Sequence, residues 1–189
     1  MQLQIKDLCT IIKAGYSFRG QPVTDKNGHF YLLQAKNINA FGEIDYHQCI
    51  KISTDNIKRI TPLSQGEIVL TARGTFKAAV FDSSEQFVTS NAIFILNIDS
   101  KVCNNNYLAI WLNSPACKKQ LDKVTLLSAT TPVLPITALG NLVVDLPNID
   151  MQEKIAKLYR LNSKEFILQQ KIYNLRKMQL ENLMNGEMI

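Results

Sequence analysis

The fold of this chain is decided at Pro147-Asn148-Ile149-Asp150-Met151-Gln152-Glu153, where two parts of unlike composition meet. All six prolines and seven of the eight glycines precede residue 148, whereas residues 149–184 contain neither. Because glycine and proline mark turns and interrupt helices, the first part is predicted to be rich in turns and the second to be one long helix. We therefore divide the chain into a domain of residues 1–149 and a helical segment of residues 150–189.

The predicted helix is too long for the domain that carries it. Asp150 as N-cap, with Glu153 three positions later, fits a helix start, and Asn185-Gly186 fits a stop after Met184. At 1.5 Å per residue, such a helix is about 51 Å long. A compact body of about 149 residues has a radius of gyration near 15 Å. We therefore expect the distal half of the helix to project from the body.

Leucine and isoleucine recur along one side of this helix with the spacing of three, four and seven that a coiled coil requires. These residues are Leu158, Leu161, Leu168, Ile172 and Leu175, and they are predicted to form a dimer interface. Glu165, Gln179 and Asn182 interrupt the pattern. A helix folded back on its own domain would bury the same residues as core, but the helix length argues against this for the distal half. The interruptions predict an interhelical contact of modest size.

The first part contains short apolar or alternating runs of strand length, at residues 30–35, 67–72, 76–81, 91–98 and 142–146. Residues 105–120 instead have helical spacing, interrupted at Ser114-Pro115. The predicted fold class is α+β: a mixed, mainly antiparallel, β-rich domain followed by a long C-terminal α-helix.

Length, composition and charge exclude several classes of protein. The 189 residues are 46% hydrophobic and carry a net charge of +5. There is no run of about 18 apolar residues to cross a bilayer and no signal-peptide pattern at the N-terminus, so we expect a cytoplasmic protein without membrane contact. The charge is compatible with nucleic acid but does not by itself predict it.

The sequence offers no catalytic set, cofactor motif or metal site. Phosphate-binding glycine loops and the nucleophile elbow are missing, and the four cysteines contain no C-x-x-C pair. Free, buried thiols are the better interpretation of the cysteines. We therefore predict no catalytic residues, no cofactor and no bound metal.

One hairpin could bind a ligand through its tip. Residues 66–77 have the pattern strand, tight turn, strand, which places Arg73, Thr75 and Lys77 at the tip. An arginine there could contact a guanine edge or a phosphate. From the residues alone, a merely solvated tip is the better interpretation.

Taken in order, several segments resemble the target-recognition domain of type I restriction–modification specificity subunits. They are Gly66-Glu-Ile-Val-Leu-Thr-Ala-Arg-Gly, Phe87-Val-Thr-Ser-Asn, Tyr107-Leu-Ala-Ile-Trp-Leu-Asn-Ser, Ser128-Ala-Thr-Thr-Pro-Val-Leu-Pro-Ile, Leu142-Val-Val-Asp-Leu-Pro and Gln152-Glu-Lys-Ile-Ala. The resemblance covers nearly the whole chain, and the ordered series carries it, because each motif alone is degenerate.

The resemblance implies a non-catalytic subunit that reads double-stranded DNA and recruits a methyltransferase subunit, with or without a nuclease subunit. It implies a DNA-binding role for loop residues, and the candidates are Arg19, Lys36, Asn37, Arg73, Thr75, Lys77, Thr130 and Thr131. Members of the family carry two recognition domains and two helical spacers, and each domain reads one half of a bipartite site.

This sequence contains one recognition domain and one spacer, which leaves two explanations open. The chain could form a homodimer through its helix, or it could pair with another fragment. An oligomeric protein-interaction module without DNA binding is the alternative function. An enzyme with an unrecognised site is the weakest hypothesis, because two histidines offer little acid–base chemistry.

Overall fold

The computed structural model describes residues 1–53, 61–128 and 131–184, and the side chains of residues 126–128 fall outside the description. The strands are β1 (Gln2–Gln4), β2 (Cys9–Ala14), β3 (Phe30–Leu33), β4 (Ile50–Ile52), β5 (Ile68–Thr71), β6 (Ala78–Val80), β7 (Phe87–Thr89), β8 (Ile93–Ile98), β9 (Leu126–Ser128), β10 (Thr131–Val133) and β11 (Val143–Asp145). The helices are α1 (Ile5–Leu8), α2 (Asn105–Leu112), α3 (Pro115–Val124), α4 (Ile136–Gly140) and α5 (Ile149–Met184). Two short 3-10 helices occupy Ala35–Asn37 and Tyr46–Gln48.

A four-stranded antiparallel sheet of order β2-β8-β5-β6 forms the centre of the body. One of its two inner strands, β5, is buried at every residue because both faces of the sheet are covered. Ile68 and Leu70 pack in the core that includes α2, and Val69 packs in a second core with Phe81 and Phe87. A strand covered on both faces is mostly apolar, as Ile68, Val69 and Leu70 are here, which is why residues 67–72 are recognisable in the sequence.

A second sheet of order β4-β3-β7 packs beside the first and combines an antiparallel with a parallel pair. The rings of Tyr31 and Phe87 stack across it at a centroid distance of 5.0 Å. Strands β1 and β11 also pair, so the N-terminus lies beside the segment that leads into the long helix. The N-terminal amine of Met1 donates to the carbonyl of Leu146 at 2.9 Å.

All five predicted strands are present, each within its predicted range and shorter than it. The predicted break at Ser114-Pro115 is also confirmed. Ser114 caps α3 by accepting a hydrogen bond from the Cys117 amide at its Oγ, and Pro115 occupies the first turn, where its missing N–H costs nothing. The architecture is α+β, with antiparallel-rich sheets and a long C-terminal helix, as predicted.

The long helix α5 begins two residues earlier than expected, and its cap differs from the predicted one. Asn148 Oδ1 accepts a hydrogen bond from the Met151 amide at 2.9 Å, so Asn148 is the N-cap and Asp150 lies inside the first turn. The side-chain oxygen of an asparagine accepts from the Met151 amide, which has no partner within the helix, as well as that of an aspartate would. With 36 residues, α5 is about 54 Å long.

The body holds only the first half of α5. Gln152, 2% exposed, accepts from the Asn104 amide at 2.8 Å and donates to the Pro147 carbonyl at 2.9 Å. Farther along, the ring of Phe166 contacts that of Phe41 at 5.0 Å. Every residue described from 167 onward is exposed except Asn182, which is half-buried. The prediction that the distal half of the helix projects is confirmed.

Gln152 fixes the helix to the body, so Gln152→Leu should destabilise the fold. The substitution leaves the Asn104 N–H and the Pro147 carbonyl without their partner and should lower the free energy of unfolding by about 2 kcal/mol. Urea denaturation followed by circular dichroism measures the change. Gln170→Leu, on the exposed part of the same helix, is the control and should leave stability nearly unchanged. Equal stabilities of the two variants would refute the anchoring role of Gln152.

Among the described residues, no helix has the length and apolar character that crossing a membrane requires.

Candidate functional site

Four connecting segments meet at one end of the central sheet. The antiparallel register places the end of β2, the end of β5, the start of β6 and the start of β8 at the same end. The segments that emerge there are residues 15–19, 72–77 and 90–92, and residues 131–134 join them from β10. We call this surface the loop edge.

Backbone hydrogen bonds tie the four segments of the loop edge together. The Asn91 amide donates to the Tyr16 carbonyl at 2.9 Å, and the Ala72 amide donates to the Ala92 carbonyl at 2.8 Å. The Gly74 amide donates to the Pro132 carbonyl at 2.9 Å. Segments far apart in the sequence therefore form one surface with a defined backbone.

Several of the predicted DNA-binding residues lie on this surface with exposed side chains. They are Arg19, Arg73, Thr75 and Thr131. Gly74 makes the tight turn between Arg73 and Thr75 with φ +74°, a conformation that favours glycine. The four segments contain no aspartate or glutamate, so the loop edge offers cationic and hydroxyl groups without a competing carboxylate.

Two other predicted residues point into the structure. Asn37 is 1% exposed, and its Oδ1 accepts from the Gln34 amide at 2.9 Å, closing a 3-10 turn. Lys77 is half-buried, and its Nζ donates to the Ile38 carbonyl. Lys77 also donates its amide to Thr71 Oγ1 at 2.8 Å. These contacts give both residues a supporting role that the sequence did not reveal.

Of the remaining two predicted residues, one belongs to none of the four segments of the loop edge and the other lies outside the described residues. Lys36 is exposed on the 3-10 turn that Asn37 closes, beside the Ile38 carbonyl that Lys77 contacts. Thr130 lies outside the described residues, next to the exposed Thr131.

The loop edge also exposes Asn91, which is not among the residues predicted from the sequence. Its side-chain amide donates weakly to Ser17 Oγ at 3.4 Å, and its backbone lies between the segments of Tyr16 and Ala72. An asparagine amide can pair with an adenine edge. In the sequence it occupies an ordinary turn between two strands, and only the register of β8 brings it beside Arg73.

The cysteines offer no activated nucleophile. All four are free, and burial raises the pKa of Cys117 to about 12 and that of Cys103 to about 11. Burial likewise raises the pKa of Cys9 to about 12 and that of Cys49 to about 11. These thiols stay protonated near neutral pH, whereas nucleophilic cysteines need a lowered pKa. In the described part of the chain, no three histidine, cysteine, aspartate or glutamate side chains lie close enough together to hold a metal ion.

A second surface lies on α5. The five residues of the predicted dimer interface are large aliphatic side chains, yet each is 48–69% exposed. We call this set of residues the helix stripe: Leu158, Leu161, Leu168, Ile172 and Leu175. By helical geometry the stripe lies about 165° around α5 from the face that carries Gln152, Ser163 and Phe166. The apolar side of the helix therefore faces away from its own body.

A cleft of about 760 Å³ separates the first half of α5 from the body. Tyr46 and Asp82 line it on the body side, and Lys157, Arg160 and Lys164 line it on the helix side. Among the described residues, the only ion pair within 4.0 Å joins Lys177 to Glu181. The carboxylates of Glu43, Asp82 and Glu153 also line the cleft, but none of them lies within 4.0 Å of these cations.

Comparison with solved structures finds the same fold in specificity subunits. The type I restriction–modification S subunit of M. genitalium is 16% identical, with a TM-score of 0.61 over 96% of this chain and 44% of that one. The HsdS subunit of Thermoanaerobacter tengcongensis is 13% identical, with a TM-score of 0.63 over 99% of this chain and 46% of that one. A further chain, from a study of type I complex assembly and conformational transition, is 13% identical with a TM-score of 0.59.

This chain spans less than half of the length of these solved subunits. Among curated proteins, no sequence matches it significantly. The sequence profile of the type I restriction modification DNA specificity domain matches residues 1–174, which include the loop edge and most of α5. The chain belongs to the type I restriction modification DNA specificity domain family.

Proposed function

We propose that this chain reads one half of a bipartite double-stranded DNA target on behalf of a cytoplasmic type I restriction–modification complex. It is not itself catalytic; it positions a methyltransferase subunit on DNA, with or without a nuclease subunit. The family match over residues 1–174 is the observation that carries this proposal.

The loop edge is the DNA-reading surface in this proposal. Arg73 at the hairpin tip can fork onto a guanine edge or a phosphate, and Arg19 supplies a second cation. Thr75 and Thr131, with Thr130 beside it, can donate to bases or backbone oxygens, and Lys36 reaches phosphate from its own loop. Asn37 and Lys77 act indirectly, by holding the 3-10 turn and the base of the hairpin in place.

The helix stripe is the pairing surface, and we propose that its partner is a second copy of the chain. The stripe is self-complementary in the antiparallel direction, because its midpoint and the midpoint of α5 both fall between Phe166 and Ile167. Two antiparallel helices in this register overlap along their whole length. Leu158 then lies opposite Leu175 of the second copy, and Leu161 lies opposite Ile172.

Glu165 favours the antiparallel over the parallel arrangement. In a parallel pair, Glu165 lies opposite Glu165 of the second copy, which places two like charges in an apolar contact at high cost. In the antiparallel pair, Glu165 lies opposite Leu168, and its carboxylate can extend to the rim of the contact. The antiparallel pair has a twofold axis perpendicular to the helices and places the two bodies at opposite ends.

Twofold symmetry determines the form of the target. Two identical loop edges related by a twofold axis read two inverted copies of one half-site. The paired helices are about 54 Å long, about one and a half turns of DNA, and this length is an upper limit on the separation of the half-sites because each body is held along the first half of its helix. The length of the helix then limits the number of base pairs between the two half-sites.

Binding of mixed-sequence duplex at low salt tests this function at the simplest level. We expect weak binding that falls about 10³-fold or more between about 50 and 200 mM salt, because phosphate contacts release counterions from the DNA and this release becomes less favourable as the salt concentration rises. Filter binding measures the affinity, and sedimentation of the same sample measures pairing. Pairing without any DNA binding would contradict the proposal and indicate an assembly module instead.

A further inference from the structure

Three lysines follow one flank of α5 at intervals of seven residues: Lys157, Lys164 and Lys171. All three are exposed. Successive members are about 10.5 Å apart along the helix axis, and the row is about 65° around the helix from the helix stripe. This lysine row lies on the same side of α5 as the cleft, at the edge of the face by which two helices would pair.

The lysine row forms no ion pair within 4.0 Å among the described residues, although Glu43, Asp82 and Glu153 line the same cleft as Lys157 and Lys164. Residues 154–177 of α5 contain seven basic residues and one carboxylate, Glu165. The one ion pair of the described residues lies beyond the row, at Lys177 and Glu181. Like charges at spacings of three and four on one helix flank repel each other, as Lys157, Arg160 and Lys164 do here. An external polyanion along this flank would relieve that repulsion.

The antiparallel pairing proposed above brings two such rows together. In an antiparallel pair, the same flank of each helix borders the same side of the contact, so both rows lie on one face. Lys157 of one copy then lies near Lys171 of the other. The result is a band of six lysines about 28 Å long on one face of the helix pair. In a parallel pair, the rows would lie on opposite faces.

We propose that this lysine band binds the phosphate backbone of the DNA between the two half-sites. The inference rests on the proposed DNA-reading and pairing functions. The interval of 10.5 Å equals about three phosphates along one strand at 3.4 Å per phosphate. DNA that joins the two half-sites passes along the helix pair in this proposal, and the lysine band lies on one face of that pair. The contact is independent of sequence and adds affinity where the loop edges make no base contact.

The salt dependence of DNA binding tests the band. The full chain with Lys157→Gln, Lys164→Gln and Lys171→Gln is compared with the unmodified chain on a mixed-sequence duplex of about 40 bp. Removing six phosphate contacts per dimer should make the slope of log K against log salt less steep by up to about 5. The matched control is Lys118→Gln, Lys119→Gln and Lys123→Gln, three exposed lysines of α3. This control should change the slope by much less.

A charge-preserving variant separates a direct contact from an effect on pairing. Lys157→Arg, Lys164→Arg and Lys171→Arg should keep the slope of the unmodified chain, and sedimentation should show dimers for all variants.

If the glutamine variant pairs and binds DNA with an unchanged slope, the band proposal is wrong while DNA reading stands. The band proposal is also wrong if that variant loses only methyltransferase binding, which would assign the band to an acidic protein surface. If the unmodified chain binds no duplex, both proposals fail.

Discussion

Replacing Leu161, Leu168 and Leu175 with glutamine is expected to turn the proposed dimer into a monomer. Each leucine contributes about 1.5–3 kcal/mol when it is buried, and the symmetric contact loses six of them. Even with partial burial, the dimer dissociation constant should rise by at least about 10³-fold. Recognition of a symmetric DNA site should disappear together with pairing. Sedimentation equilibrium and binding to inverted half-sites measure the two losses.

The control for this experiment uses the same helix. Tyr173→Gln and Leu180→Gln change two side chains that are 65% and 61% exposed and lie about 100° around α5 from the helix stripe. Glutamine favours helix in both variants, so helix content is preserved. The control variant should still pair. A monomeric unmodified chain at high concentration, or equal losses in both variants, would contradict pairing through the helix stripe.

Arg73→Ala is expected to weaken recognition of the half-site without affecting the fold. Arg73 is exposed at the hairpin tip and forms no ion pair among the described residues, so its removal exposes no buried group. A bidentate arginine–guanine contact discriminates by about 1–3 kcal/mol, which is about 5-fold to 150-fold for each half-site. Selection of bound sequences from a random duplex library should show relaxed preference at one position of each half-site.

Lys119→Ala, an exposed change on α3, is the matched control for Arg73→Ala and should leave the selected sequence unchanged. A uniform loss of affinity with unchanged sequence preference would assign Arg73 to a phosphate instead of a base. Unchanged affinity and unchanged preference would remove Arg73 from the reading surface.

The sequence predicts those parts of the fold in which local pattern and tertiary burial agree. Helix α5 is recognisable because residues 149–184 contain no glycine or proline, and β5 is recognisable because both of its faces are covered. The strands of residues 2–14 are not recognisable in the same way. They alternate polar and apolar residues only briefly, and partners far along the chain stabilise them: β11 for β1 and β8 for β2.

The candidate site was predictable to a smaller extent, because exposure depends on distant contacts. Lys77 and Arg73 look equivalent on a hairpin tip, yet the Ile38 carbonyl draws Lys77 inward while Arg73 remains exposed. Asn37 is a polar loop residue in the sequence but a buried turn residue in the structure. The proximity of Asn91 to Arg73 follows from strand register, which short strands do not reveal in advance.

Sequencing of methylated bases tests most directly whether this chain selects a symmetric DNA target. The comparison uses a strain that carries this gene and a strain from which the gene is deleted. Two further strains carry the deletion and a restored copy of the gene, either unmodified or with Leu161, Leu168 and Leu175 replaced by glutamine. We predict one methylated-adenine motif of two inverted half-sites that is lost on deletion and restored only by the unmodified gene. A set of methylated motifs that is the same with and without the gene would contradict this function.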